Sequence, residues 1–322
     1  MKDKIQLDNS GRKIAEQCKM QYFLKIINGL QSECGNTALR FGQTWHGIQE
    51  GYYKHIATFG WKTKDAAISA GIMRGKEIWD RETKERTFMA DDYRTFENCV
   101  TMFMSYLNYF VNDENYIKVI STEKKFEIPI IPKILEEHRL LDGKPLLMFT
   151  GKIDLEVEMD GRIWGCDHKT TSFNLDKASN QLNRSAQFIG YYYTEKELEV
   201  SKTKTPMDTE MLEGFLISFA FASSYKSKTT GQYGNLKTDF RRVPQLYSQQ
   251  DLIDWRKSFI STYKDILFCI ENDYWPIQYD SCYNQFNRSC EYLRLCDQKR
   301  SFEDLNLTGY KIQHWNVLNE EE

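Results

Sequence analysis

Residues 150–172 read TGKIDLEVEMDGRIWGCDHKTTS, and the fold turns on how they pair. Ile153, Leu155 and Val157 alternate with Asp154, Glu156 and Glu158, the period of two of a half-buried strand. Asp160-Gly161 is a hairpin turn signal, and Ile163, Trp164, Gly165 and Cys166 run back from it. If Asp160 and Gly161 are the two loop residues, Met159 faces Arg162 and Asp154 faces Asp167. Facing residues have Cβ atoms roughly 4.5–5.5 Å apart. Lys169 lies two residues beyond Asp167, on the same face. Ile153, Leu155, Val157, Trp164 and Cys166 supply the core face.

Like charges opposed in a sheet are destabilising. A divalent cation would remove that cost, since hard cations take carboxylate oxygens. The lysine could then polarise a phosphate or activate water. The same pattern also suits a solvated hairpin face, and a one-residue slip would undo the pairing.

The composition is that of an ordinary globular protein, with 322 residues and a formal net charge of −3. Any nucleic-acid contact must therefore come from a local basic patch. No apolar stretch resembles a signal peptide or a membrane span, which points to the cytoplasm. No G-x-x-x-x-G-K-[ST] is present, so ATP and a motor are not expected. Eight cysteines in a cytoplasmic chain do not suggest a disulfide framework. Three of them fall between Cys282 and Cys296, which argues for a metal or cluster. A four-sulfur site needs a fourth thiolate, Cys18 or alternatively Cys34, and would suit zinc or iron–sulfur.

The remaining chain alternates helix and strand. Helices are expected over Lys13–Leu30, Gly42–Ala57, Lys64–Glu85 and Asp92–Asn112. On the second, His46 and Glu50 share a face. Tyr116–Pro132 reads as a strand, with Pro129 and Pro132 marking an edge or end. Glu123 in it suits a surface position or a supporting acid for the metal. Lys133–Pro145 is a polar connection. Gln187 and Tyr191 share a face of a helix that follows a polar loop over Ser172–Asn183. Leu212–Ala222 and Leu236–Tyr247 are strands around a basic loop. Lys226, Lys228, Lys237, Arg241 and Arg242 there are the best candidates for phosphate contacts, although a solvated loop has the same composition. Ser248–Asn272 is a helix.

G-x-x-D in Gly151–Asp154 and D-x-K-T in Asp167–Thr170 resemble the core motif of the PD-(D/E)XK nuclease superfamily, in its RecB-like branch. The proline usual before the first acid is absent; Ile153 stands there. The segment Leu39–Tyr53 is similar to that branch's histidine motif, and Gln187–Tyr191 to its Q-x-x-x-Y motif. Cys18 before His46, with Cys290-x5-Cys296 near the end, resembles the iron–sulfur staple of AddB-type and CRISPR-associated exonucleases. The first gap, from Cys282 to Cys290, departs from that pattern.

The resemblance implies a single α/β nuclease domain over residues 1–322. A restriction-endonuclease-like core at about 116–222 would carry a mixed central sheet flanked by helices. A helical insertion would occupy about 60–115, and a cysteine-rich cluster region about 273–300 would staple the termini. It implies a metal-dependent DNA exonuclease. His46, Asp154, Asp167 and the backbone carbonyl of His168 would hold Mg or Mn, with Lys169 catalytic. Gln187 would orient DNA or metal waters, and Tyr191 would contact the substrate strand. Cys18, Cys282, Cys290 and Cys296 would hold a structural 4Fe–4S cluster. The setting would be recombination, repair, replication or CRISPR adaptation in a bacterial or phage-infected cell. Partners would be DNA ends or single strands, with a recombinase, helicase or CRISPR protein. The rival reading is an idle or partner-activated DNA-binding subunit of a recombination or replication complex. A weaker rival is a zinc-stabilised RNA-processing factor.

Overall fold

The computed structural model describes residues 4–88, 92–130, 146–182, 184–202, 212–284, 288–314 and 318. In chain order the elements begin with β1 (Lys4–Leu7), α1 (Asn9–Gln17), α2 (Lys19–Tyr22) and β2 (Leu30–Ser32). Four helices follow: α3 (Thr37–Phe59), α4 (Lys64–Glu85), α5 (Phe96–Tyr109) and α6 (Asp113–Tyr116). Then come β3 (Lys118–Pro129), β4 (Leu146–Met159), β5 (Arg162–Thr171), α7 (Leu175–Leu182) and α8 (Ala186–Lys202). The chain continues with β6 (Leu212–Ser223), β7 (Lys237–Gln245), α9 (Gln249–Asn272), α10 (Leu293–Cys296) and β8 (Tyr310–Ile312). The polar connection expected over Lys133–Pro145 lies outside the described residues.

Two compact units emerge. The first comprises residues 1–34, 125–151 and 249–322, and the second residues 35–124 and 152–248. Strands β3 and β4 contribute to both.

In the second unit the sheet runs β4, β5, β6, β7, with β3 paired to β4. The β4–β5 and β6–β7 pairs are antiparallel and β5–β6 is parallel, so the sheet is mixed. The parallel pair needs a crossover, which α7 and α8 provide. Nearly every residue of β6 from Leu212 to Ala222 is buried. That is how a strand covered on both faces reads. On one face Leu155, Val157, Cys166, Leu216, Ala220 and Phe240 pack with Trp45, Phe103 and Tyr106 of α3 and α5. On the other, Phe215 packs against Phe188 and Tyr191 of α8, with ring centroids 6.0 and 5.9 Å apart.

Helix α3 starts where Asn36 caps the Ala38 and Leu39 N–H groups. It meets α4 closely: a Cβ on Gly71 would lie 2.7 Å from the Ile48 carbonyl oxygen. Only a glycine allows that approach.

In the first unit β1 runs parallel to Leu146–Phe149. Phe149 packs on Trp255 and Phe259 of α9, each with centroids 5.0 Å away. The single helix expected over Lys13–Leu30 is broken. α1 ends at Gln17 because Cys18 is extended, at φ −161°. A π-helical turn over Phe23–Ile27 then leads to Gly29, in the left-handed region at φ 65°. β2 pairs antiparallel with β8, over a small core of Leu24, Leu30, Tyr292 and Leu295. Among the described residues, no helix is long and apolar enough to cross a membrane.

Candidate active site

The hairpin turn is built as its residues demand. Asp160 and Gly161 both have positive φ, 50° and 72°, which suits Asp-Gly in a two-residue turn. The register is Met159 opposite Arg162 through Leu155 opposite Cys166. Asp154 and Asp167 are the next residues of the two strands. Both are covered: the Asp154 side chain is 11% exposed, and Asp167 only 1%.

Each acid is held by two neighbours. Asp154 Oδ2 accepts from the His168 backbone N–H at 3.0 Å and lies 3.0 Å from His46 Nδ1 on α3. Asp167 Oδ2 accepts from the Gln187 side-chain amide on α8 at 3.1 Å. Lys169 Nζ sits 2.5 Å from Asp167 Oδ1. Two helices distant in sequence, α3 and α8, thus meet on the hairpin.

The charges are divided between the two acids. Burial and the negative charge of Asp154 push the Asp167 carboxyl up to about 6, although Lys169 and His46 oppose this. Burial also disfavours ionised Asp154, but His46, His168 and Lys169 outweigh it and hold that carboxyl well below the usual range. Burial works against a charged His46, yet Asp154 raises its pKa. Burial likewise opposes charge on Lys169, and Asp167 and Asp154 overcome it. Burial pulls His168 down to about 3, so its ring is neutral; it stacks on Tyr53 at 5.9 Å.

Glu123 is the residue whose importance the sequence understates. It stands in β3 with φ 53°, a left-handed conformation uncommon for a non-glycine residue. Its side chain is 18% exposed and ion-paired with Lys152. Burial and Asp154 push its carboxyl up to about 7. It is therefore not a surface glutamate. Lys152, two residues before Asp154 on the same strand face, went unremarked, though the alternation in K-I-D could have flagged it.

Two of the expected contact residues lie largely inside the fold. Tyr191 is buried, and its hydroxyl accepts from Gln187 at 3.2 Å. It steadies Gln187. Arg242 is also internal. Its guanidinium donates to both Asp113 oxygens at 2.7 and 2.6 Å and to the Tyr106 hydroxyl at 2.7 Å. It lies 3.8 Å over the Phe110 ring, so it is no phosphate contact. Lys226, Lys228, Lys237 and Arg241 are exposed, and Arg241 pairs with Asp176 at 2.5 Å.

Cys18, Cys282, Cys290 and Cys296 all line one cleft in the first unit, whereas Cys34 is exposed and not part of it. The Gln278 N–H donates to Cys18 Sγ at 3.5 Å. Burial and the neighbouring cysteines push the Cys296 thiol up to about 11. Burial and Cys18 also raise Cys282.

Among the described residues, no three His, Cys, Asp or Glu side chains stand as a ready-made metal group. The donor chemistry nevertheless fits. Two adjoining buried carboxylates and an imidazole suit a hard divalent cation, which would relieve the repulsion that raises Asp167. Four thiols lining one cleft are the donors that zinc or an iron–sulfur cluster takes.

Comparison with known proteins agrees with this geometry. The family model described as the PD-(D/E)XK nuclease superfamily matches residues 11–297. No curated protein matches the chain. The matched span includes both acids, the lysine, His46 and the four clustered cysteines, and the chain belongs to the PD-(D/E)XK nuclease superfamily.

Proposed function

We propose that this nuclease is a DNA exonuclease whose Mg or Mn ion is held by His46, Asp154, Asp167 and the His168 backbone carbonyl. The observation that carries this reading is the hairpin register: it brings Asp154 beside Asp167, with Lys169 paired to the second acid. When bound, the ion polarises the phosphate and lowers the pKa of an attacking water.

The protein's own groups supply the rest. Lys169 stays protonated between two acids, so it stabilises charge developing on the phosphate and orients water rather than removing a proton. Gln187 fixes the Asp167 carboxylate, and the His168 N–H fixes that of Asp154. His46 Nδ1 lies on Asp154, so the imidazole stands at the carboxylates and reaches the ion once that contact opens. Lys226, Lys228, Lys237 and Arg241 supply sequence-independent attraction to phosphates.

Cys18, Cys282, Cys290 and Cys296 hold a structural 4Fe–4S cluster, with zinc the alternative, tying the N-terminal helices to the C-terminal region. Family resemblance supports a role in recombination, repair, replication or CRISPR adaptation.

A partner-activated or idle DNA-binding subunit is the second reading. The direct His46–Asp154 contact favours it, because that contact must open to admit a cation. End-labelled single- and double-stranded DNA tests the two. Wild type and Lys169→Ala are compared with Mn, with Mg and with EDTA. Metal-dependent cleavage lost in the variant supports the enzyme, and the labelled end gives its polarity. A folded wild type that binds DNA and cuts nothing supports the second reading.

A further inference from the structure

Beside the candidate active site, the second unit holds a cavity of about 310 Å³. Lys169 forms part of its wall, and Phe41, Tyr93, Arg94, Phe173 and Phe219 form much of the rest. We infer that this cavity receives one unpaired nucleotide of the DNA strand, next to the phosphate that Lys169 attends. The inference rests on the nuclease reading above and adds to it the form of DNA the enzyme takes.

The walls are set before any ligand arrives. The Tyr93 hydroxyl donates to the Ala222 carbonyl at 2.9 Å. Arg94 donates to Asp92 at 2.9 and 3.1 Å and lies 4.6 Å over the Tyr93 ring. Asp92 in turn accepts from the Thr37 hydroxyl at 2.7 Å. The Phe173 backbone N–H donates to Thr171 Oγ1 at 3.0 Å, which fixes the turn that presents its ring. That ring is 41% exposed, large and apolar at a site that also contains cations. Lys177 Nζ lies 5.4 Å over it.

The accessible rings of Tyr93 and Phe173, with flanking cations, suit bases and phosphates, while Phe41 and Phe219 are buried core residues. Base stacking is sequence-tolerant because every base has a π-face, while Arg and Lys meet phosphate oxygens. The volume lies at the small end of ligand pockets, roughly 300–1,000 Å³. That admits a single nucleotide and shuts out a base pair. A paired end must therefore release its base first, at a cost that is least for a single-stranded or mismatched nucleotide.

The test places the fluorescent base 2-aminopurine at successive positions of a single-stranded overhang and adds the full-length wild type in EDTA. Stacking on an aromatic ring quenches this base. Quenching is expected at one position near the end. Phe173→Ala should abolish it and weaken overhang binding about tenfold or more, while Phe173→Trp should retain both. Binding to a closed duplex without unpaired nucleotides should not change. No quenched position, or quenching and affinity indifferent to Phe173→Ala, would overturn the pocket. Cleavage by wild type with Mn is measured in parallel. Cleavage without quenching strikes the pocket alone. Quenching without cleavage strikes the nuclease reading and supports the cavity as a single-strand site.

Discussion

His46 Nδ1 and the His168 backbone N–H converge on one oxygen of Asp154, each at 3.0 Å. One carboxylate oxygen thus links helix α3 to strand β5. A histidine this close to the acid bears on whatever the acid binds, since even the outer partners of metal ligands typically contribute 10- to 100-fold in metal affinity. His46→Ala is therefore expected to need at least about tenfold more Mn for half-maximal cleavage. Its rate at saturating Mn should fall much less than that of Lys169→Ala. A metal titration of cleavage separates these effects; an unchanged half-maximal Mn concentration would remove His46 from the cation site.

Asp167 makes stability depend on pH in the metal-free protein. Its folded carboxyl titrates at about 6, against roughly 3.9 in an unfolded chain. Below about pH 4 both forms are protonated and no penalty exists. Between about 4 and 6 the unfolded chain loses its proton first, so stability falls as pH rises, by roughly 3 kcal/mol at most. Asp154, depressed in the fold, works in the opposite sense: its contribution is lost as pH falls. Asp167→Asn removes only the first effect. In EDTA its melting temperature relative to wild type should climb between pH 4.5 and 7.5. Adding Mn at pH 7.5 should narrow the gap, since a cation that binds only the fold stabilises it. A gap independent of pH would contradict the burial of this acid.

Arg242 separates internal from external charge. Breaking a buried ion pair by removing one partner typically costs 3–5 kcal/mol, so Arg242→Met should unfold at a markedly lower temperature. Lys228→Ala, at an exposed site, should leave stability within about 0.5 kcal/mol. It should instead reduce the salt dependence of DNA binding by about one charge. Thermal melts and salt titrations of binding, run on both variants, decide the matter. Arg242→Met melting like wild type would return that arginine to the DNA-contact group.

These cases also mark what the sequence could disclose. The hairpin register was legible because Asp160-Gly161 tolerates positive φ at both positions, and the turn then dictates every facing pair. Helix α4 was legible end to end, since its apolar spacing is local. Arg242 was not, because its partner Asp113 lies 129 residues earlier and a basic strand reads as surface in either case. The packing of Tyr191 was hidden for a related reason. Helical spacing put it beside Gln187, but only the fold shows Phe215 packed against its ring. The left-handed backbone at Glu123 leaves no mark in a run of ordinary strand residues.

The cysteine cleft gives a prediction that the nuclease assay does not touch. Cys18, Cys282, Cys290 and Cys296 line it, while Cys34 stands outside and exposed. Burial and the neighbouring cysteines raise Cys296 and Cys282, and a bound metal removes that resistance to ionisation by taking up the thiolates. Wild type purified anaerobically should be coloured, with broad visible absorbance and iron by elemental analysis. Colourless protein with one zinc per chain would assign zinc to the same four sulfurs. Cys18→Ser should lose most of the metal and melt at a lower temperature, because a structural metal contributes folding free energy directly. Cys34→Ser should match wild type in both respects. Full metal content in Cys18→Ser, or its loss in Cys34→Ser, would transfer the fourth ligand away from Cys18 and undo the proposed tie between the N-terminal helices and the C-terminal cysteines.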